Sequence, residues 1–298
     1  MAGTADARAW ADHASRVAPS MVPSDPWFEP RLAPARTVAG AATRLFAFHC
    51  GDERGDWASM DAFDVRVGTK IDIPYFFYLI QHPAGNVLFD CGGHPDLAVN
   101  PAARLGQAAS AFEVHLTDDD RLEARLASVG LTLADITHVA ISHLHYDHCG
   151  GLEFLRHSTI HVQGSELPFA YWPPVYQRSL FVRADFDHPL RWHELHGPHD
   201  VFGDGSVVLF PTPGHTPGHQ SMLVRLPQSA AILVGDAAYL PEKMRARALP
   251  PVVWQPDVMV LSWDRIEEVQ RANKAVLLFS HDLEFARSTR LAPDEWYE

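Results

Sequence analysis

The 298-residue sequence is poor in cysteine and has no long apolar run. Its three cysteines, Cys50, Cys91 and Cys149, are odd in number, lie far apart and form no CxxC pair, so we expect reduced thiols and a cytoplasmic location. The densest apolar stretch covers residues 73–80 and is shorter than the about 20 residues that cross a membrane. The N-terminus lacks the apolar region of a secretory signal, so we expect neither a membrane anchor nor export.

Positive charge is also scarce. Lys and Arg number 24 against 37 Asp and Glu, which gives a formal net charge of −13, and no Lys/Arg run exceeds two residues. Such a surface repels DNA and RNA, so we expect no nucleic-acid partner. With 47% hydrophobic and 20% charged residues, the composition is ordinary for a globular protein. The unusual count is that of histidine, at 18 residues, and the positions of these histidines carry the functional signal.

Two regions of the chain differ in composition. Residues 1–42 are rich in Ala, Pro and Arg, and we interpret them as a partly irregular N-terminal extension. Over residues 43–298, short apolar strands come first as hairpins and then alternate with helices, which predicts one domain with mixed sheets and outer helices. Long connections over residues 93–117, 165–190 and 240–256 interrupt this pattern.

Turn and capping residues predict three local elements. The segment His82–Gly85 separates two apolar strands and predicts a hairpin. Thr117, followed by three aspartates, predicts the start of a helix whose Leu122 and Leu126 share one face. Ser262 predicts the N-cap of a second helix, over residues 262–272.

Three histidines and an aspartate lie within six residues, directly after a predicted strand over residues 137–142. Imidazole and carboxylate are ligands that Zn²⁺ and similar ions prefer. Because residues i and i+2 of an extended segment point the same way, His143 and His145 can hold one ion, and Asp147 and His148 follow the turn and can reach a second. The pair Gly150–Gly151 lets the backbone fold tightly against this site.

Further ligand types recur downstream at the ends of apolar strands. His215 lies in TPGHTPGH, Asp236 in GDAAY and His281 in SHD. Functional groups commonly lie in the loops that a rigid sheet supports. One such histidine alone would be an ordinary packed side chain, but the three residues together with the first cluster predict a metal site.

With these motifs the sequence resembles the metallo-β-lactamase superfamily. The resemblance covers roughly residues 44–298 and rests on the HxHxDH motif at 143–148 and on the segments at 213–219, 235–239 and 280–282. It implies an α/β fold of the α+β type, an αββα sandwich with a dinuclear metal site at one sheet edge. Carried over by position, the family pattern assigns one ion to His143, His145 and His215, the other to Asp147, His148 and His281, and the bridge between them to Asp236.

Several residues of this sequence differ from those of other branches of the superfamily, and these differences indicate which branch it resembles most. A bridging Asp236 in place of a cysteine ligand argues against the true β-lactamases, and His145 in place of glutamate argues against the redox di-iron branch. No inserted nucleic-acid domain and no C-terminal basic helical region are visible in the sequence. It is most similar to N-acyl-homoserine lactone lactonases and to pyridoxolactonase, since the former carry a tyrosine three residues after the bridging aspartate, here Tyr239.

The resemblance implies a metal-dependent lactonase. A hydroxide bridging two divalent ions would attack the lactone carbonyl, with Tyr239 donating a hydrogen bond to the oxyanion and Asp147 moving the proton to the leaving alkoxide. Zinc is the expected metal, and iron, cobalt or manganese fit the same ligand types. Asp90 and His219 are each expected to orient a ligand histidine by contacting the ring nitrogen that does not bind the metal. The expected partner is a small lactone or ester, and a homodimer stays open.

Two functional alternatives stay open as well. The same site suits a hydrolase of another ester class, such as an aryl ester, a phosphotriester or pyridoxolactone, and it also suits a metal-bound protein that only binds a ligand. Aromatic residues in the 165–190 connection either wall a substrate pocket or cover the edge of the core. They are Phe169, Tyr171, Trp172, Tyr176 and Phe181.

Overall fold

The predicted hairpin lies at the centre of the first of two β-sheets. The computed structural model describes residues 43–110 and 112–298, so the predicted extension over residues 1–42 lies outside the described residues, and the domain boundary at residue 43 stays a prediction. The first sheet has seven strands in the order β4-β1-β2-β3-β5-β6-β7. These strands are β1 (Arg44–Asp56), β2 (Lys70–His82), β3 (Gly85–Phe89), β4 (Glu113–His115), β5 (Ile136–Ala140), β6 (Thr159–Gln163) and β7 (Arg191–Leu195).

The second sheet has five strands in the order β12-β11-β10-β9-β8. Within each sheet the pairing is mixed: the hairpin strands are antiparallel, while β3, β5, β6 and β7, and likewise β11 and β12, run parallel. The strands of the second sheet are β8 (His199–Asp200), β9 (Val207–Pro211), β10 (Gln220–Arg225), β11 (Ala230–Leu233) and β12 (Val276–Leu278).

Helices cover the outer faces of both sheets. The helices are α1 (Asp96–Val99), α2 (Pro101–Leu105), α3 (Leu122–Ser128), α4 (Tyr146–Cys149), α5 (Glu166–Tyr171), α6 (Arg183–Phe186), α7 (Pro241–Ala246), α8 (Pro256–Asn273) and α9 (Leu283–Ser288). None of the helices within residues 43–110 and 112–298 has the length and the apolar character that a bilayer crossing requires.

The apolar run of β2 is buried on both faces, which explains its continuous hydrophobicity. Phe76 and Tyr78 point into the core between the two sheets, whereas Phe77 and Leu79 point into the core under the outer helices. Strand residues alternate in direction, so one strand contributes to both cores. On the far side, α8 packs Trp263 and its neighbours against the second sheet. The layers are therefore helix, sheet, sheet and helix, as the αββα prediction states.

Two local predictions need correction. The helix predicted from Ser262 begins six residues earlier, at Pro256, and Ser262 lies inside it, where its hydroxyl donates to the carbonyl oxygen of Pro213 at 2.5 Å. The prediction followed the capping preference of serine and missed the proline at the first helical position. Thr117 does form a capping box with Asp120, but it closes a short 3-10 turn directly before α3.

Candidate metal centre

The loops that follow β5, β9 and β11 bring together His143, His145, His215 and Asp236. His145 Nδ1 lies 2.9 Å from His143 Nε2 and 3.0 Å from His215 Nε2, and the two Nε2 atoms are 3.2 Å apart. Asp236 Oδ2 is 3.4 Å from His215 Nε2 and 3.7 Å from His143 Nε2. All four side chains are buried. Four ligand atoms from three loops thus face one point.

A second group of candidate ligand side chains lies on the other side of the Asp236 carboxylate. Asp236 Oδ1 is 3.1 Å from His148 Nε2 and 3.0 Å from His281 Nε2, and Asp147 Oδ2 is 3.3 Å and 3.5 Å from the same two nitrogens. Asp147 and His148 lie in α4, directly after the first two histidines of the motif, and His281 follows β12. The two oxygens of Asp236 therefore face different groups, and this carboxylate joins them.

The outer nitrogen of most of these imidazoles has an oxygen partner. His143 Nδ1 donates to Ser142 Oγ at 3.0 Å, His148 Nδ1 to Asp90 Oδ2 at 2.8 Å, His215 Nδ1 to the Val252 carbonyl at 3.0 Å, and His281 Nδ1 to the Pro74 carbonyl at 2.9 Å. Each bond places the proton on Nδ1 and leaves the lone pair of Nε2 directed into the site.

This arrangement is incomplete without a cation. Lone pairs of neighbouring imidazoles face each other, and His148 Nε2 and Asp236 Oδ1, although 3.1 Å apart, are buried without forming a hydrogen bond to each other or to any other described residue. Buried polar atoms of this kind need a partner. Neutral imidazoles and carboxylates form the donor set that divalent transition metals take, so the residues present fit two divalent ions.

The electrostatics of the two groups agree with this interpretation. Burial and the neighbouring histidines lower the pKa of His143 and His145, which stay neutral and able to ligate. Burial also opposes protonation of His281, but the Asp236 and Asp147 carboxylates outweigh it and raise its pKa to about 9. The two carboxylates thus favour positive charge at the site, and bound cations would supply that charge in place of a proton.

A backbone of unusual conformation holds Asp90 behind the site. Asp90 follows β3 with φ at 62°, and its carboxylate accepts from Ser142 N at 2.7 Å, from Ser142 Oγ at 2.9 Å and from His148 Nδ1. Non-glycine residues rarely adopt this left-handed region, and such strain persists where the surrounding structure enforces it. The contact with His148 places Asp90 where it can orient this imidazole, and the orienting role itself stays a prediction.

His219 does not make the contact predicted for it. Its Nδ1 lies 2.8 Å from Thr212 Oγ1, and its Nε2 has no partner among the described residues. Its ring lies near that of His143, with centroids 5.4 Å apart, but no hydrogen bond joins it to a ligand histidine. His219 packs beside the site because the turn from β9 to β10 directs its polar edge to Thr212.

Tyr239 lies at the mouth of the site. Its hydroxyl is 3.5 Å from His215 Nδ1, and its ring centroid is 5.4 Å from that of His281. It lines an open cleft together with Asp147 and His281. Burial and the Asp236 carboxylate raise the pKa of Tyr239 well above its ordinary value, so the hydroxyl keeps its proton. The position permits donation to a molecule in the cleft.

All three long connections reach this cleft, through Phe112, Leu180 and Val252. The aromatic residues singled out in the 165–190 connection do not line it. Phe181 packs edge-on against His145, with centroids 4.5 Å apart, whereas Trp172 and Tyr176 are exposed to solvent. The interpretation of these aromatics as cover for the core edge therefore describes Phe169, Tyr171 and Phe181 better than the interpretation as pocket walls.

Glu166 supports the site without belonging to any sequence motif. This buried carboxylate, at the start of α5, accepts from Leu144 N at 3.0 Å, from Thr216 Oγ1 at 2.7 Å and from Gly218 N at 3.1 Å. Leu144 lies between the candidate ligands His143 and His145, and Thr216 follows the candidate ligand His215. Glu166 therefore joins the two loops that carry these histidines, and a glutamate at the start of a helix does not by itself indicate such a role.

Glu53 is a second carboxylate that the sequence analysis missed. It lines the cleft from β1 and accepts from the hydroxyls of Tyr75 and Tyr146, each at 2.5 Å. Burial and the charge of Asp147 raise its pKa to about 7. An isolated acidic residue in a polar strand end carried no signal, because its tyrosine partners lie far away in the sequence.

The fold and the two groups of candidate ligands together define a hydrolase of the αββα class with a candidate site for divalent metal ions. Residues 72–281 match the profile of the metallo-beta-lactamase superfamily, and the chain belongs to this superfamily. It is 34% identical to an N-acyl homoserine lactonase, AttM, of Agrobacterium fabrum over 233 residues, which are 76% of this chain and 89% of that protein. It is 30% identical to an N-acyl homoserine lactonase of Bacillus thuringiensis over 230 residues, which cover 76% and 88% of the two chains.

Solved structures agree with these sequence relatives. An N-acyl homoserine lactone hydrolase, solved with the product N-hexanoyl-L-homoserine at its catalytic metal centre, superposes with a TM-score of 0.76 at 27% identity. The superposition covers 87% of this chain and all of that chain. A dizinc quorum-quenching lactonase, AidC, superposes with a TM-score of 0.61 over 85% and 89% of the chains, and at 16% identity it supports the fold alone.

Proposed function

We propose that this chain is a dinuclear metal-dependent hydrolase that opens the ring of N-acyl homoserine lactones. The observation that carries the proposal is the pair of ligand groups joined by Asp236, with Tyr239 beside them in an open cleft. The relatives at 30–34% identity are N-acyl homoserine lactonases, and one similar structure holds an acyl homoserine product. A role in quorum quenching follows if this substrate class is correct.

In this proposal, one ion would be held by His143, His145 and His215 and the other by Asp147, His148 and His281, and Asp236 would contribute to both sites. When bound, two divalent ions supply Lewis acidity toward a carbonyl and lower the pKa of water to about 7. Zinc is the metal we propose, because five imidazoles and two carboxylates form its usual donor set. Asp90 orients His148 through the 2.8 Å hydrogen bond to Nδ1.

Two residues of the chain act on the substrate in this proposal. The Tyr239 hydroxyl donates to the carbonyl oxygen as negative charge develops there. The Asp147 carboxylate, at the edge of the cleft, takes the proton from the attacking water and passes it to the alkoxide oxygen of the opened ring. No serine or cysteine nucleophile is required, and Cys149 is fully buried with its thiol 3.5 Å from the Leu144 carbonyl.

A substrate panel on protein of known metal content tests this function. Zinc-loaded protein should release one proton for each N-hexanoyl homoserine lactone opened, as a pH indicator records, and the His143→Ala/His145→Ala variant should not. The exposed Glu123→Gln variant serves as the control that keeps the site intact. Inactivity of fully loaded protein toward acyl homoserine lactones would contradict the proposal, and faster turnover of aryl esters or phosphotriesters would favour another ester class.

We also propose a cytoplasmic location for the protein. Its three cysteines, Cys50, Cys91 and Cys149, are buried and unpaired. Proteins of oxidising compartments more often pair their cysteines as disulfides, so unpaired thiols support a reducing compartment. Fractionation of the native host cells with a specific antibody would test this location, and recovery outside the cytoplasm would contradict it. The homodimer stays a prediction.

A further inference from the structure

Four histidines outside the candidate metal centre meet at the β7 edge of the sandwich. His138, His161 and His193 belong to the neighbouring parallel strands β5, β6 and β7 of the first sheet. His199 belongs to β8 at the edge of the second sheet. None of these residues contributes to the site described above.

The strand register explains why the first three point the same way. His161 pairs directly with His193, and Ala140 pairs with His161, so His138 lies two residues away along the same face. Ala140 and Leu195, on that face, belong to the core between the two sheets. The three imidazoles therefore replace apolar side chains at the edge of this core and face the second sheet.

The ring spacing of His161, His193 and His199 is close to that of three histidines in the candidate metal centre. Their ring centroids are 5.0, 5.2 and 4.9 Å apart, compared with 4.4, 4.6 and 4.8 Å among His143, His145 and His215. One nitrogen of each ring lies within 4.8 Å of the others. His161 Nδ1 and His193 Nδ1 are 3.1 Å apart, close to the about 3.3 Å between two ligands of a tetrahedral zinc ion.

The protonation of the cluster suits ligation. His161 Nε2 lies 3.0 Å from His138 Nδ1 and can donate to it, which leaves the lone pair of His161 Nδ1 free on the side of His193 Nδ1. Burial, with the other histidines, lowers the pKa of His161 to about 3, and it also lowers the pKa of His138 and His199. The carboxylate of Asp200, beside His199, acts in the opposite direction and favours protonation of His199.

We propose that His161, His193 and His199 form a second, peripheral binding site for a transition-metal ion such as Zn²⁺, with His138 positioning His161. Three imidazoles without a carboxylate ligand select zinc, copper, nickel or cobalt over magnesium and calcium. His193 is exposed, so the fourth position of a tetrahedral ion opens to solvent. An ion bound there would join the two sheets, because its ligands come from both.

Zinc stoichiometry tests this site on the full chain. Wild type, the His193→Asn/His199→Asn variant and the His196→Asn control are stripped with a chelator, reloaded with excess Zn²⁺, desalted and measured by plasma mass spectrometry. His196 is an exposed histidine just beyond β7 and outside the cluster. We expect the double variant to hold about one zinc ion per chain fewer than wild type and control, with unchanged lactone hydrolysis. Equal zinc contents would overturn the proposal.

Thermal unfolding gives a second measurement. Because a ligand that binds only the folded state raises its stability, excess Zn²⁺ should raise the melting temperature of wild type and of the His196→Asn control more than that of the double variant. Equal shifts in all three proteins would mean that the four histidines form only a hydrogen-bonded cluster. Loss of the proposed lactonase activity would leave this comparison unaffected, since it measures binding outside that site.

Discussion

Replacement of Glu166 should loosen two ligand-bearing loops at once. Its carboxylate accepts from Leu144 N, from Thr216 Oγ1 and from Gly218 N, and all of these groups are buried. Leu144 lies between His143 and His145, so a shift of this backbone would move the ligand atoms themselves. We therefore expect Glu166→Ala to reduce both stability and metal affinity, although Glu166 touches no ligand side chain.

The magnitude follows from the donors left without a partner. A buried donor that loses its acceptor costs about 1–3 kcal/mol, and Glu166→Ala leaves two backbone N–H groups without one, so we expect a loss of about 2–6 kcal/mol. This range counts the two backbone donors alone, and the Thr216 hydroxyl loses the same acceptor. Glu166→Gln keeps one oxygen for Thr216 and Gly218 but turns an amide N–H₂ toward Leu144 N, so only one donor is lost, at about 1–3 kcal/mol.

Urea unfolding of the metal-free proteins measures this effect directly. The comparison belongs at pH 8, above the value of about 7 to which burial raises the pKa of Glu166, so that the carboxylate is ionised and accepts all three bonds. The unfolding free energy should fall in the order wild type, Glu166→Gln, Glu166→Ala, and zinc titration should give the same order of affinity. The exposed Glu123→Gln variant should match wild type.

One result would refute this reasoning. If Glu166→Ala unfolded within about 0.5 kcal/mol of the Glu123→Gln control and bound zinc equally well, the three hydrogen bonds would not hold the loops. A loss of stability without any loss of zinc affinity would separate the two parts: the bonds would stabilise the fold, and the ligand atoms would be held in place by other contacts.

Three further variants or treatments test the site. Tyr239→Phe should lower kcat by about 10²-fold or more with unchanged zinc content, because it removes one donor to the developing oxyanion, and an unchanged kcat contradicts that role. Asp90→Asn should weaken zinc binding by about 10–100-fold, as measured by competition with a chromogenic chelator, because it weakens the partner of His148 Nδ1. Chelation of the metals should lower the melting temperature, since the Asp147 and Asp236 carboxylates then face each other without cations, and an equal melting temperature would argue against bound ions.

Sequence patterns predicted which side chains meet at the candidate site better than they predicted the elements around it. His143, His145, Asp147 and His148 lie in one short segment, and strand-end placement follows from the apolar run before it, so local information was sufficient. The same local information failed at Ser262, whose hydroxyl satisfies a distant carbonyl inside α8 instead of capping the helix. Capping preference could not distinguish these two uses of a serine.

The residues that support the site could not be predicted because their partners are distant in the sequence. Glu166 lies 22 and 52 residues from the backbone donors Leu144 and Gly218, and Glu53 lies 22 and 93 residues from Tyr75 and Tyr146. A single carboxylate in a polar stretch is usually a solvated side chain. Only the packing of α5 and β1 against the loops identifies these two as buried acceptors.

The second histidine cluster could not be predicted for the same reason, because its members are distant from one another in the sequence. Five of the 18 histidines lie in motifs that a metal site predicts, but His138, His161, His193 and His199 are spread along 62 residues and share no motif. These histidines lie close together because the parallel register pairs His161 with His193 and because β8, which carries His199, packs opposite them. Strand β7 was not predicted at all, so its register could not be either. A parallel sheet thus concentrates residues that the sequence disperses, and the enrichment in histidine reflects two clusters of imidazoles, only one of which a sequence pattern marks.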